Sequence, residues 1–237
     1  MRWFENVGRF VFGTECLGCG GVAERLDPWL CPDCVKELER ESKAGVSPGG
    51  DAYSLFPMRP LTRRLVHALK YGGIPGMATY LVRHSSAVRG GFIGEELSMF
   101  PKPLYFVPVP LHRARLRERG YNQAEKIASA LAVVVGGRVC RWLRRKTFVV
   151  SQTKLSKEAR ERNVSDAFEC ALPKELPVRG TVVVVDDVFT TGATTSACIA
   201  AFGHDFPLPI KVCTLIYDEP ASVTADYVAD CRMEWNL

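Results

Sequence analysis

The second half of the chain alternates between short, continuously apolar runs and segments whose apolar residues have helical spacing. Residues 104–109, 182–185 and 210–217 are predicted strands that are buried on both faces, because they are short and mainly apolar and the valine run 182–185 contains no polar residue. Residues 122–135 and 194–202 are predicted helices. This alternation predicts an α/β fold with a parallel sheet covered by helices. Ligands of such sheets bind outside the carboxyl ends of the strands.

The first half of the chain has a different pattern. Residues 35–43 are predicted to form a short polar helix, and the glycine- and proline-rich segment 44–50 is a predicted linker. A second helix is predicted from Leu61 to the glycines at 72 and 73, with Leu65, Val66 and Leu69 on its apolar face. We therefore expect a small N-terminal domain at residues 1–50 and an α/β domain at 51–237.

Composition supports a folded protein. The chain has 237 residues, of which 47% are hydrophobic and 24% charged, and these values exclude a disordered tail, a fibre and a coiled coil. No apolar run approaches the roughly 18 to 20 residues that a spanning helix needs. Glu5 and Arg9 interrupt the first residues, which do not resemble a secretory signal. We expect no membrane span and a cytoplasmic location.

The net charge of +5 is unevenly distributed. Residues 102–162 contain 15 basic and 4 acidic residues, a local charge of +11, whereas the remainder carries −6. An excess of this size attracts anions such as phosphates, nucleotides or nucleic acid. A solvated basic surface without a ligand would have the same composition, so the count alone leaves both interpretations open.

Four cysteines form two Cys-x-x-Cys pairs near the start of the chain: Cys16 with Cys19, and Cys31 with Cys34. Two residues between thiolates let one turn direct both sulfurs at a tetrahedral ion. A site with four cysteine ligands has no open position for water, so a Zn²⁺ ion there would be structural. Two disulfides or a redox pair are the alternatives, which the missing secretory signal and the duplicated motif disfavour. The spacing therefore predicts a structural zinc site.

The segment 182–194, VVVVDDVFTTGAT, is the most informative part of the chain. A buried strand leads to Asp186 and Asp187, and a turn rich in threonine and glycine then begins a helix. Backbone N–H groups at such a turn bind anions, and threonine hydroxyls can add to them. Carboxylates would repel a phosphate, so the aspartates suit sugar hydroxyls or a metal ion shared with the ligand. The segment predicts a ribose 5-phosphate site; an N-capped helix without a ligand is the alternative.

This segment resembles the 5-phosphoribosyl 1-pyrophosphate (PRPP) motif of type I phosphoribosyltransferases. The resemblance implies that Asp186 and Asp187 contact the ribose hydroxyls and that Mg²⁺ accompanies PRPP. It assigns the 5-phosphate to the loop residues Thr190, Thr191, Gly192, Ala193 and Thr194.

Other motifs are similar to those of the ComF family of phosphoribosyltransferase-like proteins. They are the two Cys-x-x-Cys pairs, Leu69-Lys70-Tyr71-Gly72, Val107-Pro108-Val109-Pro110, Arg119-Gly120-Tyr121-Asn122-Gln123-Ala124 and the segment 152–163. The resemblance covers nearly the whole chain in the same order. It implies a type I phosphoribosyltransferase-like α/β domain preceded by a four-cysteine zinc finger, with residues 51–103 as the candidate hood. Whether Lys70 reaches the ligand site is left open.

The basic middle of the chain has two implied contacts with pyrophosphate. By resemblance, Arg113 and Arg115 lie in a pyrophosphate loop after the strand 104–109, although the prolines there could simply end the strand. The segment 146–163 takes the place of a loop that closes over PRPP and excludes water. Its Lys154 and Arg160, together with the two aspartates, are the catalytic candidates. A solvated basic helix beginning near Ser156 is the alternative.

Two functions follow from these observations. One is a Mg²⁺-dependent phosphoribosyltransferase that uses PRPP and an unknown acceptor. The other is a protein that binds PRPP with Mg²⁺ without transferring it and handles or imports single-stranded DNA in natural competence. The resemblance links the family to incoming single strands and implies peripheral contact with uptake machinery. Tyr121, Trp142 and Phe148 lie among the arginines and are candidates for base stacking, although aromatic residues of an α/β domain are more often in the core.

Overall fold

The apolar runs lie at the centre of one sheet in the computed structural model of the chain, which describes residues 14–23, 27, 29–42, 45–46, 52–89, 92–146 and 167–218. The elements in chain order are β1 (Thr14–Glu15), β2 (Val22–Ala23), α1 (Pro32–Glu41), β3 (Gly45–Val46), β4 (Ala52–Pro57), α2 (Pro60–Tyr71), α3 (Gly76–His84), α4 (Phe92–Met99), β5 (Leu104–Pro108), α5 (Arg113–Arg119), α6 (Gln123–Val135), β6 (Arg138–Val139), β7 (Leu143–Arg145), β8 (Phe168–Cys170), β9 (Thr181–Phe189), α7 (Ala193–Phe202) and β10 (Ile210–Tyr217).

The main sheet has the strand order β3-β4-β10-β9-β5-β6. Its five strands from β4 to β6 are parallel, and β3 is antiparallel to β4. Val183 and Val185 pack into one core with α6, whereas Val182 and Val184 pack into a second core with α7. Alternate side chains of β9 therefore face two apolar layers, which confirms the predicted parallel sheet covered on both faces.

The sheet changes its winding direction between β5 and β9. β5 leads through α5 and α6 to its neighbour β6 on one side, and β9 leads through α7 to β10 on the other. The two connections leave the sheet in opposite directions, and this divergence opens a crevice at the carboxyl ends of β5 and β9.

β9 is longer than the sequence predicts. Pairing between β5 and β9 ends at Pro108 and Val185, as expected, but β9 continues beside β10 as far as Phe189 and Tyr217. The predicted end at residue 185 was therefore wrong, because β10 offers a partner for four more residues. The aspartates lie on this one-sided extension of the strand, next to the crevice.

The predicted helices are present with shifted ends. The helix expected at 35–43 begins at Pro32 and ends at Glu41, with Cys34 and Leu38 as its buried residues. The helix expected from Leu61 begins one residue earlier, at Pro60. Asn122 is the N-cap of α6, and its side chain accepts a hydrogen bond from the Ala124 N–H group at 3.1 Å.

The N-terminal segment packs on α2 and α3. Leu30 and Leu38 share one apolar core with Leu61 and Leu81, and all four are fully buried. The division at residue 50 and the assignment of residues 51–103 as a hood stay predictions. Across the described ranges, every helix is too short or too polar to cross a bilayer.

Candidate functional site

The two aspartates meet a lysine from the first half of the chain. The Asp187 N–H group donates a hydrogen bond to Asp186 Oδ1 at 2.8 Å. Lys70 Nζ, in the last turn of α2, lies 2.9 Å from Asp187 Oδ1. The side chains of Lys70 and Asp187 retain 22% and 16% of their exposure, so the ion pair is largely shielded from water. Lys70 therefore does reach the site.

The site holds Asp186 in an unfavourable environment for a negative charge. Burial and, secondarily, the charge of Asp187 raise the pKa of Asp186 to about 7, while the Asp187 N–H group and the positive charges of Lys70 and Arg145 oppose this rise. A carboxyl with this pKa changes charge near neutral pH. A ligand hydroxyl that donates to the carboxylate would favour its ionised form.

A polar pocket opens beside the acidic pair. It has a volume of about 40 Å³, is open to solvent, and is lined by Asp186, Val188, Phe189 and the consecutive residues Thr190, Thr191, Gly192, Ala193, Thr194 and Thr195. The first N–H groups of α7, which begins here, have no partner within the helix. The structure thus brings the loop predicted to bind the 5-phosphate and Asp186 together around one space.

Gly192 gives this loop its shape. Its φ of +74° lies in the left-handed region, and a Cβ atom at this position would lie 3.0 Å from the Phe189 ring. The Thr195 hydroxyl donates to the Gly192 carbonyl at 2.9 Å, and the Thr191 hydroxyl accepts from the Ala193 N–H group at 3.4 Å. A side chain at residue 192 would strain the turn and crowd the pocket.

The segment 119–124 fixes the end of α2. The Tyr121 hydroxyl donates a short hydrogen bond to the Leu69 carbonyl, and Arg119 Nη2 donates to the Tyr71 hydroxyl at 3.3 Å. The Arg119 guanidinium also lies 4.9 Å from the centre of the Tyr71 ring. Two motifs that are 50 residues apart in the chain therefore interlock around Lys70.

Two buried donors of the same segment have no hydrogen-bond acceptor among the described residues: Arg119 Nε and Gln123 Nε2. Gln123 is 1% exposed, and its Oε1 accepts from Arg119 Nη1 at 3.0 Å. Asn122 Nδ2 donates to the Val109 carbonyl at 2.9 Å, which connects the segment to the end of β5.

The other predicted cations lie elsewhere or outside the described residues. Arg113 and Arg115 are exposed on α5, and neither forms an ion pair within the ranges that the structure describes. Lys154 and Arg160 lie outside the described residues. Sequence reasoning missed Arg145, which packs 5.3 Å from the Phe168 ring and whose charge acts on Asp186. Its place in the basic region was the available signal, and Arg144 shares it.

Of the three aromatic residues proposed for base stacking, Trp142 is too buried for this role. Trp142 is only 8% exposed and packs against Tyr105, with 4.9 Å between ring centres. The Tyr121 hydroxyl is already used by the Leu69 carbonyl. Phe148 lies outside the described residues. The interpretation of Trp142 as a stacking platform was wrong, because the apolar core beside β5 includes it.

The four N-terminal cysteines form one cluster. Their sulfur atoms all lie within 4.8 Å of one another, and Cys19 Sγ is 3.7 Å from Cys31 Sγ. Tetrahedral zinc with Zn–S bonds of about 2.3 Å requires sulfur separations of about 3.8 Å. All four cysteines are free thiols. The cluster therefore fits a metal ion such as Zn²⁺ and does not fit two disulfides.

Backbone N–H groups donate to two sulfur atoms of the cluster, whereas burial and hydrogen bonds with the other cysteines raise the pKa of Cys34. The Cys31 N–H group donates to Cys16 Sγ at 3.2 Å, and the Gly21 N–H group donates to Cys19 Sγ at 3.4 Å. Burial raises the pKa of Cys16, but hydrogen bonds from the backbone of Cys19, Cys31 and Gly18 outweigh it and lower the value to about 7. A Cβ atom on Gly18 would lie 2.6 Å from Cys34 Sγ, so the turn requires glycine.

A parallel sheet with an acidic pair and a threonine-glycine loop at its switch point defines a phosphoribosyltransferase-like α/β protein. No family model matches the chain. It is 34% identical over 189 residues to the DNA utilization protein YhgH of Salmonella typhi, covering 78% of this chain and 70% of that protein. It is 37% identical over 102 residues to competence protein F of Haemophilus influenzae, covering 39% and 41% of the two chains.

A third relative covers most of both chains. The competence protein ComFC of Streptococcus pneumoniae is 26% identical over 187 residues, which are 76% of this chain and 76% of that protein. Together with the Salmonella relative, this similarity confirms the resemblance of the motifs. The chain belongs to the ComF family.

Proposed function

We propose that this protein binds PRPP together with Mg²⁺ in the crevice between β5 and β9. The observation that carries the proposal is the contact of Asp186 with a pocket formed by the loop 190–194. One side of the space offers carboxylate acceptors for hydroxyl groups, and the other offers N–H and hydroxyl donors for a phosphate. A pentose 5-phosphate is complementary to this arrangement, because its hydroxyl groups can donate to the carboxylates and its phosphate oxygens accept from the N–H and hydroxyl groups.

The pyrophosphate of the ligand then extends toward the basic middle of the chain. In the proposed arrangement Arg113 and Arg115 at the start of α5 contact it, and Lys154 and Arg160 close over it. Bound Mg²⁺ would neutralise part of the pyrophosphate charge. The direction is supported by the position of α5 immediately beyond the end of β5, which forms the other wall of the crevice.

We further propose a role in DNA utilization and natural competence, in which the protein contacts single-stranded DNA. The names of the relatives support the role, since they include DNA utilization and competence proteins. The contact is supported by α5, on which Arg113, Arg115 and Arg117 are all exposed to solvent. Their charges are free to contact phosphates, and such binding weakens strongly with salt.

The four cysteines are proposed to hold a structural Zn²⁺ ion. The ligand set is complete with four sulfurs, so the ion would fix the turns at 16–21 and 31–34 rather than take part in chemistry. This proposal accounts for a cluster of thiols that lies against the apolar core of α2 and α3.

Active phosphoribosyl transfer to an unknown acceptor is the second candidate function. It is favoured by Tyr71, which follows Lys70 and leaves 56% of its side chain exposed, because an exposed ring beside the site offers a stacking surface to an acceptor. If transfer occurs, the protein is an enzyme, and Lys154 and Arg160 are the catalytic candidates that would contact the leaving pyrophosphate.

Calorimetric titration with PRPP and Mg²⁺ tests the proposed binding. We expect saturable binding that the double variant Asp186→Asn, Asp187→Asn abolishes. The matched control is Asp205→Asn with Glu175→Gln, which removes two exposed charges outside the loop 190–194 and α5. Absence of PRPP binding at millimolar concentration would contradict the proposal. Release of pyrophosphate from PRPP with a pool of nucleobases would separate transfer from binding alone.

A further inference from the structure

The Lys70–Asp187 ion pair joins two distant parts of the chain. Lys70 belongs to the candidate hood, 116 residues before Asp186, and it is not part of the PRPP motif. Its ammonium group lies 2.9 Å from Asp187 Oδ1. The carboxylate of Asp187 is therefore paired with a helix from the first half of the chain.

The position of Lys70 is determined by contacts at both ends of α2. At the first turn, the Arg59 N–H group donates to the Thr62 hydroxyl at 2.9 Å, and this hydroxyl donates to the Pro57 carbonyl at 2.8 Å. At the last turn, the Tyr121 hydroxyl binds the residue before Lys70. The helix is thus fixed to β4 at one end and to the start of α6 at the other.

The charges of the site explain why a cation is needed at the position of Lys70. Asp186 and Asp187 are adjacent carboxylates, and a ligand with a phosphate and a pyrophosphate is strongly anionic. Without a cation, the aspartates would repel each other and the ligand. Lys70 contacts Asp187, and the positive charges of Lys70 and Arg145 both favour the ionised form of Asp186.

We propose that Lys70 is a positioning residue of the PRPP site. It fixes Asp187 Oδ1, so that Oδ2 faces a ribose hydroxyl, and it supplies the positive charge that lets a polyanionic sugar phosphate approach two carboxylates. The inference rests on the proposed function. Because the ammonium group contacts Asp187 Oδ1, this oxygen would be a poor ligand for a Mg²⁺ ion that accompanies PRPP.

Titration of the full-length, zinc-loaded protein with PRPP tests the inference. We expect Lys70→Met to weaken PRPP binding at least about tenfold, and Lys70→Arg, which keeps the charge, to weaken it by less than about threefold. The matched control is Arg64→Met, which removes an exposed charge from the same helix and leaves affinity unchanged. If Lys70→Met does not fold by circular dichroism, Lys70→Gln takes its place.

A double-mutant cycle gives the second readout. Lys70→Met and Asp187→Asn remove the same contact. The double variant will therefore lose less binding free energy than the sum of the losses in the two single variants. Part of the affinity lost in Lys70→Met also returns as Mg²⁺ is raised, because the ion takes over the missing charge. A purely structural role for Lys70 would produce neither result.

The outcomes separate the inference from the proposed function. If the unmodified protein binds no PRPP, the proposed function fails. If it binds PRPP and Lys70→Met binds equally well, or if the two single losses are additive, the positioning role is wrong while the proposed function stands. Equal weakening by Lys70→Arg and Lys70→Met would also overturn the positioning role.

Discussion

The Tyr121 hydroxyl donates a hydrogen bond to the carbonyl of Leu69 from 52 residues away, immediately before the lysine that contacts Asp187. The bond crosses from the turn that begins α6 to the last turn of α2. It connects the wall of the crevice that carries α5 with the helix that supplies Lys70. The geometry of the acidic pair therefore depends on a residue that has no place in the PRPP motif.

Tyr121→Phe is expected to weaken PRPP binding about three- to tenfold, because the end of α2 loses a hydrogen bond worth about 1 kcal/mol. Calorimetry measures the affinity, and urea denaturation measures the accompanying loss of stability. The control is Tyr105→Phe, which removes a hydroxyl that donates to the Arg179 carbonyl at 3.5 Å. Equal affinities of Tyr121→Phe and the unmodified protein would show that α2 does not need this bond.

Asp186→Asn should stabilise the free protein at alkaline pH. The pKa of Asp186 is raised from 3.8 to about 7, so the folded state binds more protons than the unfolded state between these values. Its contribution to the free energy of unfolding therefore falls as pH rises from about 4 to about 7. We expect Asp186→Asn to remove this loss and to gain about 2 kcal/mol at pH 8, after allowance for solvent screening.

Urea denaturation at pH 5 and pH 8 checks this expectation, and Glu175→Gln, at an exposed position, is the control. The same variant should lose PRPP affinity, since the amide no longer offers a carboxylate to the ribose. A variant that is less stable than the unmodified protein at pH 8 would mean that Asp186 is not strained in the folded state.

Loss of the proposed zinc ion should destabilise α2, the helix that carries Lys70. Cys16 and Cys34 are buried in the same core as Leu61 and Leu65, so the cluster and α2 share their packing. We expect Cys19→Ser to lose one zinc per chain and about 3 kcal/mol or more, a decrease in melting temperature of about 6–12 °C. Metal analysis and thermal melting measure both effects. Cys140→Ser is the control, and zinc lost from it as well would refute the four-cysteine assignment.

Replacement of Arg113, Arg115 and Arg117 by glutamine should weaken single-stranded DNA binding. Each lost phosphate contact reduces the slope of log affinity against log salt by about 0.7. Fluorescence anisotropy with an oligonucleotide at several salt concentrations gives the slope. The control replaces Arg63, Arg64 and Arg83, which are exposed on α2 and α3, and so makes the same change in net charge. If both triple variants lose affinity equally, the binding is a property of net charge and not of α5.

Local pattern was sufficient for the parallel sheet and for the turn between β9 and α7. Four consecutive valines are buried whichever way they face, and glycine is required by a positive φ at residue 192, five residues after Asp187. The cysteine spacing likewise predicts the cluster, because its geometry is set by two short turns.

Contacts between distant residues could not be predicted in this way. β9 extends to Phe189 only because β10 pairs with it. The pattern of apolar residues within β9 does not indicate that partner. The approach of Lys70 to Asp187 depends on where α2 lies, which is decided by Thr62, Tyr121 and the core. Arg144 and Arg145 are adjacent residues of the same type, so the sequence does not distinguish them. They differ only because successive side chains of β7 point to opposite faces of the strand.

The strand order also determines when the site can form during synthesis. β10 lies between β9 and β4, so the strand nearest the end of the described chain must insert between two that were made earlier. Until the ribosome has released residues 210–217, β4 and the α2 helix that follows it have no sheet neighbour linking them to β9. A nascent chain that stops before Ile210 would carry both Lys70 and Asp187 without the strand that brings them together, and assembly of the site would be a late step of folding.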